Sequence, residues 1–213
     1  MRSGFVGAVT RPVYRPRDIL PLMQAMDAAS DEELLRRFAS GQASAFEQLY
    51  RRHELPVFRY LLRNLRNHAL AEEAHQETWF AVAREAARYR PTARFTTWLF
   101  TIAHHRMIDS MRAKRPTVQW EAAEQQAQQA VAVSAGSSIA GPYAAALADE
   151  QLAALLQALS ALPEEQRQAF LLQQEAELSV EEIAAVFDCN IETAKSRLRY
   201  ARSKLRELLQ DHL

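Results

Sequence analysis

Six cations fall within twelve residues near the end of this sequence: Lys195, Arg197, Arg199, Arg202, Lys204 and Arg206, with no acidic side chain among them. Guanidinium and ammonium groups at that density are donors without acceptors, which suits a run of phosphates. A solvated surface helix interleaves Glu with Lys to gain pairs one turn apart, and here no acid lies between Glu192 and Glu207. A second set, Tyr89, Arg90, Thr92, Ala93 and Arg94, makes a short cationic, hydrogen-bonding segment. The neighbouring Phe95 and Trp98 sit at core spacing. Enzyme chemistry finds no matching pattern: no G-x-S-x-G, no Walker loop, no dinucleotide Gly-rich turn and no H-E-x-x-H. His104 and His105 are adjacent, so on a helix they point about 100° apart and cannot share a metal. The lone Cys189 excludes an internal disulfide and a multi-cysteine zinc site and fits a reducing compartment, the cytoplasm. No catalytic residue, metal or cofactor is expected.

The chain that positions these groups has 213 residues, 26 Lys+Arg against 26 Asp+Glu, and 48% hydrophobic side chains. It can bury a core, and it has no apolar run near the roughly 20 residues that span a bilayer. Its first thirty residues lack the apolar stretch of a secretory signal. The neutral total hides segments. Residues 31–115 carry 15 basic and 10 acidic side chains, whereas 116–150 carry 4 acids and no base. The segment 116–149, with "QQAQQAVAVSAGSSIAGP", reads as a linker, a loose helix over 122–133 being the alternative. Residues 1–29, with Pro12, Pro16 and Pro21, read as an irregular extension.

Everything else reads as helix. Ser30-x-x-Glu33 is a capping box that opens a short helix ended by Gly41. A helix from Ser44 to Leu65 contains Pro56. Another runs from about Leu70 to Tyr89 with Ala74, Thr78, Trp79, Val82 and Ala86 inward, and a fourth begins near Arg94. After the linker come an apolar-striped helix from Leu152 to Leu159 and one opened by Pro163. Ser179-x-x-Glu182 caps "VEEIAAVF", the turn "DCN" follows, and a long helix runs from Ile191 to about Leu209. The expected fold is all-α: two small helical domains, 30–115 and 150–213, joined by a flexible linker. The last two helices match a helix-turn-helix unit, whose second helix enters the major groove. Its buried face would be Ile183, Ala184, Phe187, Ala194, Leu198 and Leu205; Thr193, Lys195, Ser196, Arg197 and Arg199 face outward.

The stretch "LSALPEEQRQAFLLQQEAELSVEEIAAVFDCNIETAKSRLRYARSKLREL" resembles the minus-35-reading domain of bacterial RNA polymerase sigma factors. "DEELLRRFASGQASAFEQLYRRHELPVFRYLLRNLRNHALAEEAHQETWFAVAREAARYRPTARFTTWLFTIAHHRMIDSMRAKR" resembles their promoter-melting domain. Two domains and a linker, without further modules, are the pattern of the extracytoplasmic-function subgroup of the sigma-70 family. The resemblance implies a sigma factor that gives core RNA polymerase its promoter specificity, with promoter DNA and core polymerase as partners and an anti-sigma factor as a third. It implies that Glu73, Gln76, Glu77 and Arg84 of "AEEAHQETWF" and the turn after it bind the polymerase. Tyr89, Arg90, Thr92, Ala93 and Arg94 would capture minus-10 bases, aided by His105, Asp109 and Arg112 of "IAHHRMIDSMRAKR". Thr193, Lys195, Ser196, Arg197 and Arg199 would read minus-35. The chain departs from the pattern at His75 (usually aliphatic), His105 (usually Asn), Asp188 (usually Gly) and Glu192 (usually Gly). A stand-alone regulator would use the helix-turn-helix but has no need of the "AHQETWF…RFTTWL" block. A protein-only adaptor has no need of the six cations.

Distance constrains this reading. Promoter elements about twenty base pairs apart are separated by roughly 68 Å. A 34-residue coil spans roughly 30–35 Å, and about 115 Å when fully extended. Engaging both elements at once therefore requires a pulled-out linker.

Overall fold

The computed structural model describes residues 29–113 and 142–210, in which eight α-helices and no strand occur. The expected extension over 1–29, apart from Ala29, and the linker up to residue 141 lie outside the described residues. Helix α1 (Asp31–Ala39) starts where the Ser30 hydroxyl accepts from Glu33 N–H at 3.2 Å. The reciprocal half of the expected capping box is missing, because the Glu33 carboxylate turns to Arg36 and Arg37 instead. Gly41, at φ +103°, makes the turn into α2 (Ala43–Leu65), a conformation that β-carbon sterics deny to most residues. Pro56 lies within α2. Asn67 caps α3 (His68–Glu85), which runs into a 3-10 turn, Ala86–Arg88. Helix α4 (Phe95–Ala113) completes the first bundle. Its centre is Leu35, Leu49, Tyr60, Leu61, Val82, Phe95, Leu99 and Phe100, all fully buried.

Helix α5 (Pro142–Ser160) starts ten residues before the expected Leu152. Pro142 is acceptable in a first turn, where its missing N–H has no partner to lose, and "AAALADEQLAALL" is built of strong helix formers. The end of the stretch expected as linker is therefore helical. Helices α6 (Glu164–Glu175), α7 (Val180–Val186) and α8 (Ile191–Leu208) follow. Pro163 is the cap of α6 rather than its first residue. Ile183, Ala184, Ala194, Leu198 and Leu205 are buried as expected, whereas Phe187, expected with them, is half-buried at the end of its helix.

The two bundles touch. Helix α6 packs on α2, and α7 packs on α4. Arg63 of α2 pairs with Glu175 of α6. Arg66 donates to the Ser160 carbonyl, and Thr97 Oγ1 donates to Glu182 Oε1 at 2.8 Å. Arg167 is 6% exposed, yet its hydrogen bonds go to the Asn64 amide oxygen at 3.4 Å and the Leu162 carbonyl at 3.2 Å. Burial, with Arg66 nearby, pulls its pKa down to about 10.

One polar knot holds α1 to α2. Asp31 accepts from Arg52 at 2.9 Å and sits 2.6 Å from His53 Nε2. Burial opposes the charge on Asp31, but the hydrogen bonds from His53 and Arg52 outweigh it and hold the carboxyl below its ordinary pKa. A depressed folded pKa gives stability that is complete above the unfolded value, about pH 4, and fades as pH falls through the folded value. Asp31→Asn should therefore cost about 1–3 kcal/mol at pH 7. In thermal melts followed by circular dichroism, its gap from wild type should close progressively below pH 4.

Candidate functional site

The recognition unit is set by its caps. Ser179 and Glu182 form a complete box at the start of α7, with Glu182 N–H on Ser179 Oγ at 3.2 Å and Ser179 N–H on Glu182 Oε2 at 2.8 Å. Phe187 caps the end of α7, so the turn runs over Phe187–Asn190, one residue longer than "DCN". Asp188 adopts φ +49°, which a short polar side chain tolerates where a Gly would be usual. The Asn190 side chain accepts from Thr193 N–H at 2.7 Å and starts α8. Lys195 and Arg199 are exposed, while Thr193, Ser196 and Arg197 are half-buried. A groove of about 590 Å³ includes Thr193, Ser196, Arg197 and Tyr200 in its lining.

Arg197 and Arg202 have partners from α6 that the sequence of α8 does not reveal, whereas Lys195, Lys204 and Arg199 find theirs within α8. Arg197 pairs with Glu165 of α6 at 2.7 Å and lies over the Phe187 ring at 5.0 Å. Arg202 donates to Gln173 at 2.6 Å. Lys195 pairs with Glu192 and Lys204 with Glu207, each at 2.8 Å. The Glu192 hydrogen bond raises the Lys195 pKa. Arg199 lies over Tyr200, an exposed aromatic that the sequence reading did not single out. Lys195, Arg199, Arg202 and Arg206 border a second, cationic groove.

At the other domain, the segment between α3 and α4 is shaped by its own hydrogen bonds. Tyr89 Oη donates to the Ala93 carbonyl at 2.8 Å, and Thr92 N–H donates to the Arg90 carbonyl at 2.7 Å. Glu32 of α1 accepts from Phe95 N–H at 2.8 Å and so fixes the start of α4. Arg90, Thr92, Ala93 and Arg94 are exposed. Phe95 is fully buried, as its spacing suggests, whereas Trp98 is half-buried against Tyr89, with ring centroids 5.0 Å apart. His105, Asp109 and Arg112 recur at i, i+4 and i+7 on an exposed face of α4. His104 points inward. It is hydrogen-bonded to Tyr60 at 2.9 Å, and burial, with His105 and Arg197 nearby, pulls its pKa to about 4. No group of three metal-ligating side chains occurs among the described residues.

Helix α3 buries Ala74, Thr78, Trp79, Val82 and leaves Glu73, Gln76, Glu77 and Arg84 exposed. Phe80, 74% exposed beside them, was absent from the sequence-based set. An apolar residue next to Trp79 reads as core by composition, and only the helical phase shows that it points out. His75 Nε2 lies 3.0 Å from Trp79 Nε1 and 3.2 Å from the Glu54 carbonyl, so the departure from an aliphatic residue has polar partners nearby. Burial lowers its pKa and favours the neutral ring that can accept.

His105, Asp109 and Arg112 line one cleft of about 810 Å³ together with Arg197, Glu164, Glu165 and Asp188. Tyr89–Thr92 and the α3 strip lie outside it. No described helix is long and apolar enough to cross a membrane.

Residues 49–117 match the family model of sigma-70 region 2, and residues 152–205 match that of sigma-70 region 4. The chain is 36% identical to RNA polymerase sigma factor CarQ of Myxococcus xanthus over 82% of its own length and 95% of that protein's. It is 30% identical to the RNA polymerase sigma-H factor of Pseudomonas aeruginosa, covering 84% of this chain and 94% of the other. Identity to the ECF sigma factor SigK of Mycobacterium tuberculosis is also 30%, over 84% and 92%. Among solved structures, CnrH in complex with the cytosolic domain of CnrY shares the fold, with a TM-score of 0.61 at 22% identity over 86% of this chain and 99% of that one. The sigma factor RpoE of Bartonella quintana, solved with the anti-sigma factor NepR, superimposes with a TM-score of 0.58 at 25% identity over 78% and 96%. With both regions in order and relatives matched over nearly their whole length, this chain belongs to the sigma-70 family, in its extracytoplasmic-function subgroup, and directs promoter-specific transcription initiation by RNA polymerase.

Proposed function

We propose that the labour is divided residue by residue between three surfaces. Glu73, Gln76, Glu77 and Arg84, centred on Phe80, dock on core polymerase. Tyr89, Arg90, Thr92, Ala93 and Arg94, with His105, Asp109 and Arg112, hold the melted minus-10 strand. Thr193, Lys195, Ser196, Arg197 and Arg199 read the minus-35 duplex. The observation that carries this reading is one chain presenting both an exposed acidic strip with a lone exposed ring on α3 and an N-capped, cation-rich helix on α8. Exposed aromatic anchors ringed by polar groups are the usual hot spots of protein interfaces.

The energetics of strand opening call for a larger partner. Opening about ten base pairs costs on the order of 14 kcal/mol at roughly 1.4 kcal/mol per stacking step. Capturing two bases returns about 2–6 kcal/mol. The difference has to come from the DNA contacts of core polymerase, which also performs the polymerisation; this chain contributes recognition and no catalytic chemistry, and it acts in the cytoplasm where polymerase is. An anti-sigma factor completes the partner set, supported by the complex in which the Bartonella relative was solved. Transcription in vitro with purified core polymerase on a genomic library tests the whole reading, and absence of promoter-specific transcripts refutes it.

Three outcomes test its parts. Phe80→Ala and Glu77→Lys should each weaken binding to core polymerase at least tenfold in a fluorescence titration, with melting temperatures unchanged because both side chains are exposed. Lys195→Ala should weaken promoter binding. If Lys195 touches a phosphate, the loss will be similar for all sequences and the salt slope will fall by about one; if it reads a base edge, the loss will be about 1–3 kcal/mol and sequence-specific. Finally, a template with a pre-opened minus-10 bubble already contains the roughly 14 kcal/mol of strand separation. Transcription from it should largely rescue His105→Ala, rescue Arg90→Ala in part, and leave Lys195→Ala unrescued.

A further inference from the structure

We infer that Glu32 of α1 is a positioning residue for minus-10 capture: by holding the first N–H of α4 it sets the shape of the segment Tyr89–Arg94, and single-stranded promoter DNA is held well only when that hydrogen bond is made. The inference rests on the minus-10 assignment above and deepens it by naming the group that shapes the site.

The three acids that open α1 go three ways. Asp31 turns to Arg52 and His53 of α2, and Glu33 turns to Arg36 and Arg37 of its own helix. Glu32 reaches 63 residues along the chain and accepts from Phe95 N–H at 2.8 Å. Helix α4 needs this partner. Its first turn is entered from Arg94, whose carbonyl accepts from Trp98 N–H at 3.2 Å. A guanidinium has no acceptor to offer the free N–H groups of a helix start, where Ser, Thr, Asp or Asn usually supplies one. The carboxylate of α1 does from outside what a local cap does elsewhere. It satisfies a donor and places negative charge at the positive end of the helix dipole.

The segment before α4 hangs from the same point. Tyr89 leaves the 3-10 turn at φ −55° and ψ 132°. Its hydroxyl donates to the Ala93 carbonyl at 2.8 Å, which closes Arg90, Pro91, Thr92 and Ala93 into an exposed loop. The Tyr89 ring packs on Trp98, Trp98 on Phe95 and Phe95 on His53, with centroids 5.0, 5.9 and 5.4 Å apart. His53 in turn sits 2.6 Å from Asp31. The circuit therefore starts and ends in the first turn of α1: Asp31 fixes α1 on α2, and the next residue, Glu32, fixes Phe95. The charge of Glu32 also adds to the rise that burial gives the Tyr89 pKa, which keeps the phenol a neutral donor to Ala93.

Charge sharpens the inference. A carboxylate beside a surface proposed to meet a polyanion weakens that meeting by repulsion. Its use lies in the donor it holds, so removing it should do the opposite of what electrostatics alone dictates.

The test titrates holoenzyme, assembled from core polymerase and each full-length variant, with a fluorescein-labelled single-stranded oligonucleotide carrying the minus-10 sequence selected by the wild-type holoenzyme. Glu32→Ala should weaken binding at least about tenfold, even though it removes a negative charge. Glu32→Gln keeps an oxygen acceptor and should bind as tightly as wild type or more tightly. Tyr89→Phe, which opens the loop and keeps the ring, should weaken binding, and combined with Glu32→Ala it should cost less than the product of the two losses. Two readouts separate positioning from general damage to the fold. In Glu32→Ala, affinity for core polymerase and affinity of the holoenzyme for a minus-35 duplex should equal wild type. On a template with a pre-opened minus-10 bubble, Glu32→Ala should be rescued only in part, because open DNA does not restore the loop. The inference is overturned by a Glu32→Ala variant that binds the oligonucleotide at least as tightly as wild type, by a Glu32→Gln variant as weak as Glu32→Ala, or by a loss of polymerase affinity that matches the loss of oligonucleotide affinity. Arg90→Ala keeps the underlying reading distinguishable. If it too retains wild-type affinity for the oligonucleotide, the minus-10 assignment itself falls; a weakened Arg90→Ala beside an unaffected Glu32→Ala removes only the role of Glu32.

Discussion

Two guanidinium groups buried between α2 and α6 set the terms for the whole molecule. Arg63 has Glu175 as its counter-charge, whereas Arg167 has only an amide oxygen and a carbonyl. A charge taken out of water regains its hydration energy only through close partners, so these polar contacts fix the register of two bundles whose buried apolar residues form one continuous cluster. Each bundle is closed by apolar packing: Leu35, Leu49, Leu61, Phe95 and Phe100 in one, Leu171, Leu172, Ile183 and Ala201 in the other.

Most of the helices were legible because their signals are local. A cap side chain three residues ahead of its partner, a 3.6-residue apolar stripe and a Gly at positive φ need no knowledge of the rest of the chain. Ser179 with Glu182, Asn190 with Thr193 and Gly41 all behave as their types dictate. Where the sequence misled, a competing local interaction won. Glu33 has the spacing of a capping-box residue, but Arg36 and Arg37 lie one turn further on and offer a charged partner in place of a backbone N–H. The early start of α5 has a similar origin, since alanine content carries a helix well beyond the apolar stripe that marks its buried part.

The site was legible in its residue types and less so in its pairings. Periodicity places Glu73, Gln76 and Glu77 on an outward face, and they are there. The same periodicity, applied to Phe80, would have put it beside them; its apolar type concealed it. Glu165 and Gln173 could not be found as partners of Arg197 and Arg202, because both come from α6, about thirty residues away in sequence. Nothing in a linear pattern reports that α6 lies along α8. Glu182 is the clearest instance: as a capping residue it is fully explained by its own helix, and its contacts to Thr97 and Arg94 arise only from the docking of the two bundles.

That double use of carboxylates bears on how a chain with no net charge binds a polyanion. The cations of α8 are held ready by acids one turn away or across the domain, as Lys195 is by Glu192 and Arg197 by Glu165. Exposed pairs of this sort are worth about 0–1 kcal/mol, so a phosphate that releases counterions as it binds can displace them at little cost. If α8 meets the duplex as proposed, the arrangement would lower attraction to DNA of any sequence and leave discrimination to the groups that meet base edges. A sigma factor that wandered onto bulk DNA alone would be lost to polymerase. On the proposed division of labour, paired α8 cations and an exposed α3 strip would favour meeting the enzyme before the promoter.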